Sequence, residues 1–128
     1  MLPIQLRGLC LDLPGAFEDF PFGPESSVFK VRAGAGRAKM FALCALDASP
    51  LMVSLKCEPE LAVQLRAAHP EITGAWHMNK THWNQLDLTG SLEDRLVQDM
   101  IEDSYDLVVA SLPRRDQEML RWRGLAGG

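Results

Sequence analysis

The sequence predicts an α+β fold, a two-layer sandwich in which an antiparallel sheet packs against helices. Three observations predict it. Stretches of strand character follow one another between residues 28 and 56 with only turns between them. A long stretch from Leu92 repeats apolar residues at helical spacing. Strict strand-helix alternation, which a Rossmann architecture requires, is missing. With 128 residues, 47% hydrophobic and 23% charged, the chain matches one globular domain able to bury its own core. That core is expected over about residues 4–123, with residues 124–128 as a frayed tail.

Taken in order, Ile4, Leu6, Leu9, Leu11 and Leu13 surround Cys10 after Pro3, a residue suited to a first helical turn, and Pro14-Gly15 stops the helix. From Ala16 to Ser27, Phe17, Phe20 and Phe22 mix with Pro21, Gly23 and Pro24, which predicts an ordered, partly buried loop. Val28–Arg32 and Lys39–Leu46 read as a hairpin around a flexible Ala33–Gly36 turn, and Leu51–Lys56 reads as a third strand. Glu58-Pro59-Glu60 opens a helix with acids at its positive end. That helix carries Leu61, Ala62, Leu65 and Ala68 and ends near His69-Pro70. A loop is expected through Ile72–Gly74, and His82–Leu88 is the next strand. Ser91 with Asp94 approximates a capping box for the clearest amphipathic helix, built on Leu92, Leu96, Val97, Met100, Ile101, Ser104, Leu107 and Val108. A short helical segment, Arg114–Arg123, follows Pro113.

Composition bounds the function. A net charge of −4 argues against a generic polyanion binder, but the charge is uneven. Asp87–Asp106 holds seven acids against Arg95, whereas Ser26–Gln85 holds Lys30, Arg32, Arg37, Lys39, Lys56, Arg66 and Lys80 against four acids. No apolar run approaches the roughly 20 residues of a membrane span and the start of the chain lacks signal-sequence character, so no membrane partner and a cytoplasmic location are expected. Cys10, Cys44 and Cys57 are odd in number, far apart and flanked by apolar residues. They read as reduced, buried thiols.

Chemical motifs are few. His77 and His82 are five apart, and no Cys-x-x-Cys or His-x-x-x-His pair exists, so no metal or cofactor is expected. No Gly-x-Ser-x-Gly is present, and Gly34–Lys39 is too short for a phosphate loop; no catalytic residue is assigned. What stands out is Ala75–Asn84, which holds two of the three tryptophans and two of the three histidines. Trp76, His77, Met78, Asn79, Lys80, His82 and Trp83 bring together aromatic faces, imidazoles, an amide and one cation with no acid. This mixture either plugs a core and braces a loop or meets an anionic partner.

These residues carry a family resemblance. The string His77-Met78-Asn79-Lys80-Thr81-His82-Trp83, with Val28–Val31, Lys39–Leu43, Leu55–Glu60 and Asp103–Val109 around it, resembles the MmcQ/YjbR family of small bacterial proteins over about Leu9–Arg115. The chain departs from the family in having Trp76 where Tyr is common, and in a longer turn at residues 34–38. The resemblance implies a CyaY-like or secretion-chaperone-like domain and a DNA-binding role. The leading expectation is therefore a non-enzymatic DNA-binding protein whose Lys30, Arg32, Arg37 and Lys39 contact phosphates along a basic hairpin, with Lys80 as a second positive point and weak, salt-dependent affinity. A protein-interaction or chaperone-like adaptor using the acidic long helix comes next. A small-ligand binder or enzyme at residues 75–84 comes third.

Overall fold

A computed structural model describes residues 1–127. Its elements are α1 (Pro3–Leu11), β1 (Ala16–Asp19), β2 (Ser27–Val31), β3 (Lys39–Cys44), β4 (Met52–Lys56), α2 (Pro59–Ala68), β5 (Ile72–Gly74), β6 (Trp83–Asp87), α3 (Asp94–Ala110) and α4 (Arg114–Gly127). The strands form one six-stranded antiparallel sheet in the order β1-β2-β3-β4-β6-β5, which is the α+β sandwich expected. Side chains alternate across such a sheet. Phe29, Val31, Ala42, Cys44, Val53, Leu55, Ile72 and Leu86 enter the main core beneath α1 and α3, while Val28, Leu43, Met52, Ser54 and Gln85 turn to the opposite face. A bulge in the β2–β3 ladder leaves Phe41 unpaired, since Phe29 faces Ala42 but Lys30 faces Met40. Phe41 and Ala42 are consequently both buried, and the Phe41 ring meets Tyr105 edge-on at 5.5 Å.

Three expectations are corrected. Ala16–Asp19, expected as loop, pairs residue for residue with Val28–Val31, because an edge strand needs only backbone partners and not a hydrophobic alternation of its own. Ile72–Gly74, also expected as loop, pairs with Asn84–Leu86 for the same reason. The long helix is not capped by Ser91. Glu93 is its N-cap residue with no side-chain cap bond, and the Ser91 hydroxyl and amide are both taken by the Glu71 carboxylate. The short C-terminal helix runs past Arg123 to Gly127, into the tail expected from residue 124. Gly128 lies outside the described residues.

Helix α4 closes one end of the sandwich. Leu120 is buried in the main core and abuts Gly15, which has φ of +74° and whose missing Cβ would lie 2.6 Å from the Arg32 carbonyl oxygen. Only glycine fits there, because a side chain would meet both the strained backbone region and two neighbours. Tyr105 reaches the same corner by donating its hydroxyl to the Pro14 carbonyl. Among the described residues, no helix is long and apolar enough to cross a membrane.

Candidate functional site

The β5–β6 connection, residues 75–82, is held from both sides. Ala75 donates to the Trp83 carbonyl at 3.0 Å, and His82 and Trp83 both donate to the Asn79 carbonyl. The Asn79 side chain accepts from the Thr81 amide at 3.0 Å. From α2, Arg66 Nη1 donates to the Lys80 carbonyl at 3.2 Å and to Asn84 Oδ1 at 2.7 Å. Asn84 is fully buried and its Nδ2 has no partner among the described residues, so this guanidinium supplies the hydrogen bond that its carboxamide makes inside the protein. Asn79 and Asn84 thus order the loop, whereas Trp76 is 66% exposed and fills no core. Its indole stacks on the His77 ring with centroids 3.9 Å apart. Trp83 is half-buried, and His82 and Lys80 are exposed.

The five basic residues singled out from the sequence do not share one face. Lys30 and Arg32 lie on the uncovered sheet face, but the Lys30 ammonium is paired with Asp19 at 2.8 Å, which holds the Asp19 carboxyl below its ordinary range. Lys39 faces Val31 across the ladder, on the helix-covered side. Its ammonium donates to the Ser111 hydroxyl at 3.0 Å and to the Ser111 carbonyl, at the negative end of α3. Lys80 belongs to the signature loop, on the far side of the sheet from β2, although both connecting loops leave the same end. Arg32 and Arg37 remain. Arg32 sits over the Phe17 ring with its guanidinium carbon 4.9 Å from the centroid, and Arg37 is exposed just beyond the Ala33–Gly36 turn.

The fold adds one residue to this pair that spacing along the chain did not suggest. Because α4 packs beneath the β2–β3 turn, Gly34 against Met119 and Gly36 against Asp116, Arg123 comes to line one cleft with Arg32, Phe17 and Gly34. Among the described residues no acid lines that cleft; Asp12 borders the neighbouring one, which Arg123 also touches. From the sequence, Arg123 was marked only as the end of the short helical segment Arg114–Arg123.

A second concavity, with a volume of about 500 Å³, lies on the uncovered face of the sheet. Leu43, Met52, Ser54 and Gln85 form its floor, and the signature loop contributes Ala75, His77 and Met78 as one wall. Burial raises the thiol pKa of Cys44 to about 12 and that of Cys10 further still; Cys57 is raised by burial and by the nearby Asp103 and Glu58 carboxylates. None of the three is a ready thiolate nucleophile. No group of three or more metal-ligating side chains converges among the described residues.

An α+β domain of this topology, with a braced His-Met-Asn-Lys loop at one sheet end, defines a class of small single-sheet proteins, and comparison with known proteins places the chain within it. It belongs to the YjbR family, whose model matches residues 11–107. It is 34% identical over 115 residues to YbdF of Escherichia coli O157:H7, covering 90% of each chain. It is 31% identical over 116 residues to YjbR of E. coli K12, covering 91% of this chain and 94% of the relative. A Deinococcus radiodurans crystal structure of the DUF419 domain superposes with a TM-score of 0.86 at 36% identity, covering 93% of this chain and 87% of that one. A Pseudomonas syringae crystal structure superposes with a TM-score of 0.70 at 28% identity, covering 84% and 98%.

Proposed function

We propose that the protein is a non-enzymatic DNA-binding module that contacts backbone phosphates through the end of the sandwich bearing Arg32, Arg37 and Arg123. The observation that carries this reading is the acid-free cleft shared by Arg32 and Arg123, with Arg37 exposed on the adjoining turn. Guanidinium groups suit phosphates because their forked donors stay charged at any physiological pH. Lys30 and Lys39 leave the contact set, being committed to Asp19 and to the end of α3. Lys80 is left as an outlying contact.

Three phosphate contacts imply weak, sequence-independent binding, with a dissociation constant on the order of 10⁻⁴ M at physiological salt and a log-log salt slope of about −3. Fluorescence anisotropy with a short duplex at several salt concentrations tests this. Binding at low salt that weakens with that slope, and that Arg32→Ala plus Arg37→Ala removes, is the expected result. No binding at the lowest salt, or binding indifferent to both substitutions, refutes it.

A further inference from the structure

The groove on the uncovered sheet face has a chemistry unlike that of the basic end. Among the described residues, no Lys, Arg, Asp or Glu lines it, and His77 is its one basic side chain. A charged ligand would lose its hydration there without gaining an ion pair, so the occupant is neutral. The volume of about 500 Å³ falls within the range of small-molecule sites.

The floor presents unused hydrogen-bonding capacity at one point. Ser54 and Gln85 face each other directly across the β4–β6 ladder. Among the described residues the Gln85 amide nitrogen meets only the Met52 sulfur, at 3.7 Å, a weak acceptor that leaves its carbonyl and a second N–H free. The Ser54 hydroxyl makes no side-chain hydrogen bond among the described residues. A primary carboxamide so placed matches a partner with a donor and an acceptor side by side on one rigid edge, the pairing by which Gln reads adenine. Beside this edge, Met52 on the floor and Met78 on the loop wall offer polarizable thioethers, which favour contact with aromatic rings. Phe22, 70% exposed at the rim, adds an aromatic surface.

The wall is preorganised. His77 is stacked on Trp76, Met78 donates its amide to the Ala75 carbonyl at 2.8 Å, and Arg66 ties the loop to α2. A ligand therefore meets a standing groove and does not bear the cost of ordering a loop.

We propose that this groove binds an uncharged planar heterocycle of the nucleobase type, its donor-acceptor edge on Gln85 and Ser54 and its faces against Met52 and Met78. Such a ring could come from a free nucleoside or from an unpaired base of a single strand. The site uses none of the residues assigned to phosphate contact, so it stands whether or not the basic end binds DNA.

The test is two-dimensional amide NMR of the intact chain titrated separately with adenosine, with a short single-stranded adenine oligonucleotide and with an abasic oligonucleotide of the same length. Shifts at Ser54, Gln85 and residues 75–78 with adenosine, weakened tenfold or more by Gln85→Leu, support the proposal with a free nucleoside as source. The same shifts with the adenine oligonucleotide alone, absent with the abasic strand and weakened by Gln85→Leu, support it with a strand as source. Arg32→Ala leaves the adenosine shifts unchanged, which separates this site from the basic end. Should Gln85→Leu fail to fold, Met78→Ala serves, with the same tenfold loss expected. Absence of groove shifts with both adenosine and the adenine strand, or shifts that neither substitution weakens, overturns the proposal.

Discussion

Arg66 donates one guanidinium nitrogen to two acceptors that lie on different elements, the Lys80 carbonyl and the buried Asn84 carboxamide. Removing it leaves Asn84 with neither end of its amide paired in the interior, a state costing about 1–3 kcal/mol. Arg66→Ala is therefore expected to lower unfolding free energy by that amount in urea. It should also speed hydrogen exchange at residues 75–83 more than elsewhere. Unchanged stability with uniform exchange would contradict the role assigned to Arg66. Arg66→Lys should not restore both bonds, because the ammonium nitrogen sits one bond nearer the backbone than the Nη1 that makes them. A polar residue alternating with Leu86 in a strand could have marked Asn84 as inward-facing from the sequence. Its partner could not be read that way, since 18 positions separate Arg66 from Asn84 and only the packing of α2 joins them.

At the scale of elements, α3 is fastened to the sheet by a polar bond as well as by its apolar stripe. The Ser104 hydroxyl, fully buried, donates to the Phe41 carbonyl at 2.6 Å and accepts from the Lys56 amide at 2.9 Å. These are the groups freed by the bulge in β3 and by the end of β4. Ser104→Ala strands both, and a loss of about 2 kcal/mol in chemical denaturation is expected; a loss below about 0.5 kcal/mol would show that water replaces the hydroxyl. The helices and the three inner strands between residues 28 and 56 were legible because each carries its own periodicity or breakers. Strands β1 and β5 were not: Ala16–Asp19 and Ile72–Gly74 are edge strands of four and three residues, and what makes them strands is the partner's backbone. The bulge was equally hidden, and it fixes the register that puts Lys30 and Lys39 on opposite faces.

For the whole molecule, the buried ionisable groups set the response to alkali. Burial pushes the Cys44 thiol from its ordinary 9.0 up to about 12 and the Tyr105 hydroxyl from 10.0 to about 12, with Cys10 raised further still. In the unfolded chain these groups ionise at their ordinary values, so the native state binds more protons between about pH 9 and 12. Stability is accordingly full below about pH 9 and falls as pH rises through that window; thermal unfolding followed from pH 8 to 11 should show a falling midpoint, and a flat profile would contradict the burial of these groups. Toward acid the sign reverses for Asp19, Glu71 and Asp87. Hydrogen bonds from Lys30, Ser91 and Thr89 respectively lower these carboxyl groups, whose contribution is lost as pH drops below the ordinary carboxylate range. Asp106, raised by burial and by Asp103 and Glu102, opposes that loss in part.

The basic residues were legible as a set but not as a surface, because a hairpin's charges divide between two sheet faces and the end of α4 comes back beside them only in three dimensions. On the proposed function, this leaves Arg32, Arg37 and Arg123 as the DNA contact, with Lys39 serving the fold. Backbone amide NMR of the protein titrated with a short DNA duplex at low salt tests it most directly. The predicted shifts cluster at residues 15–17, 32–37 and 120–124. A shift pattern centred on the acidic face of α3, or no shift at all, would contradict it.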